Sequence, residues 1–167
     1  MKELNIFQAT EMTSPNPLTL ICTQKEDGST NMAPICFVSF LSFNPPMVGF
    51  ATSKQSCTGE QARKNGKAII TVPAAEIAEA AFGCGTCTGK NTDKVQKFAV
   101  EMKNIDDCDI MIPAETKVAF VVDVKDAIDV GDHILHICDV KSIFGDDSKK
   151  ALYAWNGFGK VAPAEEG

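Results

Sequence analysis

The sequence predicts a mainly β protein, an antiparallel β-barrel of about six strands with peripheral helices. Three observations predict it. β-rich runs stand at both ends of the chain with helical stretches inserted between them, without the regular strand–helix alternation of a parallel sheet. Turn signals, Asp27-Gly28 and Asn44-Pro45-Pro46, separate consecutive runs. Residues 117–124 and 133–144 carry apolar side chains on both faces, which calls for cover on two sides, from helices or a partner subunit, and closure into a barrel removes exposed edges.

In chain order, residues 18–23 form a short strand that ends at the Asp27-Gly28 turn. Residues 31–43 read as one long strand, and 47–52 as its successor after the two prolines, giving an antiparallel meander. Thr58 and Gln61 have the spacing of a capping box, and Asn65-Gly66 supplies a helix stop, so a short helix lies between them. Residues 67–72 form a strand stopped by Pro73, followed by an Ala/Glu-rich helix over 74–82. Residues 83–90 hold three glycines in eight positions and read as a loop. Val95, Phe98, Ala99 and Met102 recur at helical spacing and predict a third helix over 93–103. An irregular acidic stretch then runs to Pro113, and the strands 117–124 and 133–144 are separated by a turn over 128–132. One domain is expected over 1–161, with a disordered tail over 162–167.

Composition narrows the function. At 167 residues and 44% hydrophobic content the chain builds a core without disulfides or a structural metal. A net charge of −6, with a single arginine (Arg63) and scattered lysines, disfavours nucleic acid, because that affinity comes from clustered cations. No apolar run is long enough to cross a membrane as a helix, and the first residues lack a signal-peptide layout. Seven cysteines without repeated spacing argue for a reducing compartment, so a cytoplasmic protein is expected.

The most informative segment begins Asn31-Met32-Ala33-Pro34-Ile35-Cys36-Phe37-Val38 and continues through Ser42-Phe43-Asn44-Pro45-Pro46 to Ser53-Lys54-Gln55-Ser56-Cys57-Thr58. A proline within a β-rich run marks an edge strand, or a point where pairing stops and the backbone is free to face a ligand. Hydroxyls and a lysine before a capped helix suit an anion, although a solvated turn has the same composition. Cys84-Gly85-Thr86-Cys87 has the spacing of a redox dithiol but lacks the usual strand–helix setting. Loop cysteines, a dithiol and a metal pair all fit it. With two histidines in the chain, a four-ligand zinc site is not encoded, and no metal is expected.

These motifs, with Thr86-Cys87-Thr88-Gly89-Lys90, Asp93-Lys94 and Gly131-Asp132-His133, resemble the flavin reductase-like family of FMN-binding split barrels, antiparallel and of Greek-key type, and within it the flavoredoxin-like branch. The resemblance covers about residues 8–160. It implies bound FMN, with the backbone of Asn31, Met32, Ala33 and Pro34 and the Cys36 side chain along the ring and ribityl chain. Ser53, Lys54, Ser56 and Thr58 would meet the phosphate. Thr86, Cys87, Thr88, Lys90 and Lys94 would close on the flavin from the loop side, Cys87-Thr88 replacing the His-Ser of many relatives. His133 would stand near the flavin and orient the reductant or tune the ring.

The implied activity is redox: NAD(P)H-dependent flavin reduction, or electron transfer through bound FMN between redox proteins. A homodimer is expected, with the cofactors near the subunit interface. A non-catalytic FMN-binding or sensing module is the alternative. Trp155 and Phe158 could cover the flavin or pack against a partner subunit, and packing is the favoured reading.

Overall fold

The computed structural model describes residues 1–106 and 108–164. A helix α1 (Ile6–Met12) opens the chain, capped by Asn5 and Gln8 acting on each other's backbone. A two-residue strand β1 (Asn16–Pro17) follows, then β2 (Thr19–Gln24) and β3 (Thr30–Ile35) as a hairpin, and β4 (Val38–Phe43) and β5 (Pro46–Ser53) as another. Next come α2 (Cys57–Asn65), β6 (Lys67–Pro73), a short 3-10 turn leading into α3 (Ala78–Gly83), and α4 (Lys94–Lys97). β7 (Met102–Ile105) and β8 (Cys108–Pro113) pair with each other. The long hairpin of β9 (Thr116–Val130) and β10 (His133–Gly145) precedes β11 (Leu152–Trp155) and β12 (Lys160–Pro163).

Seven strands form an antiparallel sheet in the order β3-β2-β6-β9-β10-β5-β4. β3 and β4 are its two edges, yet Cys36 and Phe37 alone separate them in the chain. The end of β3 and the start of β4 must therefore meet, and the sheet turns back on itself there as a split barrel. The Phe37 carbonyl extends the β4–β5 ladder to this junction by accepting a hydrogen bond from Ala51 N at 2.8 Å.

This arrangement corrects the expected meander. β3 and β4 are two strands with different partners, because the run from 31 to 43 breaks after Pro34 and Ile35, where ladder pairing cannot continue. Burial on both faces holds for the middle of the sheet. In β2, Leu20 and Cys22 pack into one apolar cluster while Ile21 packs into the other. In β6, Ile69 and Ile70 divide in the same way.

The helix expected over 93–103 is a single turn. Ala99 takes a φ of 49°, which ends the helix, and Met102 begins β7. The stretch expected to be irregular is the β7–β8 hairpin. The helix α2 starts earlier than the Thr58 spacing implies: Ser56 is its N-cap, accepting from Gly59 N, and Gly66 ends it in the left-handed conformation. The turn expected over 128–132 is confined to Gly131 and Asp132, since β9 runs to Val130. At the C-terminus Ala162 and Pro163 pair with Tyr153 and Leu152, so the expected tail is strand at those positions. Residues 165–167 lie outside the described residues. Among the described residues no helix is long and apolar enough to cross a membrane.

Candidate functional site

A cleft of about 520 Å³ opens where the barrel splits, a size common for cofactor sites. One wall is the β3–β4 junction, Pro34 to Phe37. A second is the end of β5, Ala51 to Ser53, with Ser56 at the start of α2. The third is α3 and the turn after it, through Ala81, Phe82, Gly85 and Thr86. Phe7 of α1 and Phe158, between β11 and β12, stand at the rim.

The sheet register builds the centre of this cleft. His133 lies directly opposite Ser53 in the β5–β10 ladder, so an imidazole and a hydroxyl more than 75 residues apart in sequence line one surface. Asp132 Oδ1 accepts from His133 Nδ1 at 2.7 Å. That bond holds the Asp132 carboxyl below its usual range and leaves Nε2 as the ring atom available to a ligand. Phe37 packs against His133 with ring centroids 5.2 Å apart and against Phe158 at 6.2 Å. The result is an aromatic strip along one side of the cleft.

An anion-suited corner adjoins it. Ser53 and Ser56 line the cleft, and Ser56 is the N-cap of α2, so the N-terminal end of that helix adjoins this corner. Lys54 sits between them, its ammonium 3.2 Å from Asp129 Oδ2 at the surface. Thr52, also on the cleft wall, has a buried hydroxyl without a partner among the described residues. Gly59 allows this corner to close: a Cβ there would lie 2.1 Å from Thr52 Oγ1.

Of the residues predicted from sequence, Pro34, Cys36, Ser53, Ser56, Thr86 and His133 line the cleft. Asn31 and Met32 are buried, so what they can offer a ligand is backbone. Ala33 and Lys54 flank lining residues without being among them. Thr58 is buried and accepts from Asn31 Nδ2 at 2.9 Å, which commits its hydroxyl to the interior rather than to a phosphate. Lys94 is also turned inward: its amine donates to Cys84 O at 2.7 Å. Lys90 pairs with Glu60 at 3.5 Å across a separate polar depression, and Thr88 Oγ1 accepts from Lys90 N at 3.3 Å. Cys87 is half-buried beside the cleft and outside its lining.

Sequence reasoning missed Phe7, Phe37 and Phe82; Phe158, for which flavin cover and partner packing were both open, is half-exposed at the rim. Trp155 does pack, donating its indole N–H to Ala162 O at 3.2 Å. The Asn5–Gln8 capping box was a readable signal for α1. Among the described residues no three His, Cys, Asp or Glu side chains converge on a common metal position.

The fold and the cleft together define a split-barrel protein with a cleft at the seam where its two edge strands meet. Residues 12–162 match the flavin reductase like domain, and the chain belongs to that family. Solved structures with the same fold include an FMN-binding protein from Thermus thermophilus with bound p-hydroxybenzaldehyde (19% identity, 100% of this chain and 97% of that one, TM-score 0.84). A flavoredoxin from Methanosarcina acetivorans is similar at 16% identity, 100% and 94% coverage and TM-score 0.84. An NADH:FAD oxidoreductase from Streptomyces globisporus C-1027 is similar at 12% identity, 99% coverage of both chains and TM-score 0.85. At these identities the likeness is one of fold. An uncharacterized protein of Archaeoglobus fulgidus is 22% identical over 112 residues, a match spanning 66% of this chain and 62% of that relative's length.

Proposed function

We propose that the protein is a flavin-binding oxidoreductase that holds FMN in the cleft at the barrel seam. The observation that carries this reading is the convergence of three walls on one space. An aromatic strip suits a flat ring, an open backbone junction at Pro34–Cys36 suits a polar ring edge, and the Ser53–Ser56 corner at the start of α2 suits a phosphate. Family membership supports the same assignment.

The flavin, when bound, supplies two-electron redox chemistry. The chain's part is positioning. Phe37 and Phe158 exclude water from one side, His133 presents Nε2 toward the cleft with its tautomer set by Asp132, and α2 neutralises the anion. NAD(P)H is the proposed donor, entering beside His133 and Phe158; a reduced protein partner is the other route.

We also propose that the working form is a homodimer. Phe40 and Phe43 on the edge strand β4 and Ile143 on β10 are exposed at 68%, 92% and 56%, and Phe40 meets Phe120 edge-on at 5.8 Å. An apolar surface of this kind on a barrel edge is covered by a partner in stable proteins.

Anaerobic addition of NADH, then NADPH, to the FMN-loaded protein tests the donor. Bleaching of the flavin absorbance with either nucleotide is the expected result. Bleaching by dithionite alone would replace the nicotinamide donor with a protein donor.

A further inference from the structure

We propose that Cys84 and Cys87 form a thiol–disulfide exchange centre on the outer side of the cleft wall, reacting with a low-molecular-weight disulfide of the glutathione class. Cys84 caps the C-terminus of α3, and the chain keeps winding after it, with Gly85 N donating to Phe82 O and Thr86 N to Gly83 O, both at 3.0 Å. These two overlapping turns, 82–85 and 83–86, keep the backbone coiled up to Cys87, and a coiled pair three residues apart can come within roughly the 4.4–6.8 Å between Cα atoms that a disulfide spans. The two thiols are near enough for one to act electrostatically on the other. The residues between them, Gly85 and Thr86, are themselves cleft wall.

The two thiols differ in accessibility in the way an exchange pair requires. Cys84 is 1% exposed, and burial pushes its thiol up to about 11, opposed by the nearby Lys94 ammonium. Cys87 is half-buried and open to an incoming reagent. Lys94 adds an independent observation. It is 5% exposed, donates to Cys84 O at 2.7 Å, and has no carboxylate partner among the described residues; burial, chiefly, lowers its affinity for a proton, and the neighbouring Cys84, Cys87 and Cys57 act in the opposite direction. A buried cation beside a thiol pair stabilises the thiolate that exchange chemistry needs.

The exchange proceeds in two displacements. The Cys87 thiolate attacks one sulfur of the external disulfide, forming a mixed disulfide and expelling one thiolate. Cys84 then attacks the Cys87 sulfur, closing the internal bond and expelling the second thiolate. The chain's dithiol is oxidised to one disulfide and the external disulfide is reduced to two thiols, which take up the two protons that Cys84 and Cys87 release.

The test uses the full chain free of flavin, equilibrated anaerobically in graded ratios of reduced to oxidised glutathione. It is then alkylated under denaturing conditions and mapped by mass spectrometry. Cys84 and Cys87 should lose reactivity together, with one internal bond joining them and two glutathiones released per bond. In Cys87→Ser, Cys84 should remain alkylatable at every ratio. Cys87 accumulating as a glutathione adduct while Cys84 stays free would overturn the inference, as would both thiols staying free throughout. Because the readout is covalent and needs no flavin, failure of flavin binding leaves the result unaffected.

Discussion

Arg63 Nη1 lies 3.1 Å from His136 Nε2, joining helix α2 to the centre of β10. The guanidinium can only donate, so Nε2 is the acceptor and Nδ1 carries the proton, which it donates to Phe50 O at 3.2 Å. His136 is fully buried and stacks on Phe50 with centroids 4.5 Å apart and planes 8° from parallel. The chain's one arginine is thereby spent on fixing a neutral core imidazole.

Acid should therefore weaken the fold through His136. Burial, chiefly, lowers its affinity for a proton in the native state, with Arg63 acting in the same direction. The unfolded chain then binds the proton more readily. Stability is fully present above the unfolded value of about 6.5 and is lost as pH falls below it toward the native value, at about 1.4 kcal/mol for each unit separating the two. Thermal melts between pH 7.5 and 5 should show a falling midpoint, and His136→Phe should flatten that dependence. A wild-type midpoint unchanged over this range would refute the assignment of the tautomer.

Asn31 ties the edge strand β3 to α2. Its Nδ2 donates to Thr58 Oγ1 at 2.9 Å and to Gln61 Oε1 at 3.1 Å, and Gln61 also accepts from Thr23 at 2.7 Å. Asn31→Leu strands the buried Thr58 hydroxyl and leaves Gln61 with Thr23 alone, and should cost about 1–3 kcal/mol in urea unfolding. Loss of under 0.5 kcal/mol would mean that the network is not structural.

The contact of Gly59 with Thr52 predicts a non-additive pair. Gly59→Ala places a methyl 2.1 Å from Thr52 Oγ1 and should destabilise by about 1–3 kcal/mol. Thr52→Ala removes that oxygen, so the double variant should recover part of the loss in denaturant titrations. Simple additivity would show that the methyl clashes elsewhere.

Phe158 separates function from stability. It is 53% exposed at the cleft rim, so Phe158→Ala should change stability by less than about 0.5 kcal/mol while weakening flavin binding several-fold by isothermal titration. Unaltered flavin affinity would place the ring away from the Phe37–Phe158 strip.

The barrel was legible because its signals are local and periodic: β-rich runs, prolines at 45 and 46, and apolar residues on both faces of 117–124. What was not legible came from tertiary contacts. Gln61 has capping-box spacing from Thr58, yet its side chain is drawn to Thr23 and Asn31, and Ser56 caps α2 instead. Val95 and Phe98 do face the core at helical spacing, but Ala99 turns the chain into β7. Site residues carried by β-pairing, such as Ser53 opposite His133, could be suspected singly but not joined, since register is not visible in sequence. Lys94, which the resemblance set on the loop side of the flavin, instead turns inward and donates its amine to Cys84 O. Phe37 gave no signal, aromatic residues serving core and cleft alike.

The central claim is that the cleft holds a flavin with its phosphate at the start of α2. Titration of the full-length protein into FMN and, separately, into riboflavin, followed by flavin fluorescence, tests it most directly. The account predicts saturable quenching with both and at least tenfold tighter binding of FMN, a difference that Ser56→Ala reduces. Equal affinity for the two would move the phosphate away from Ser53 and Ser56, and absence of quenching with either would contradict the flavin site altogether.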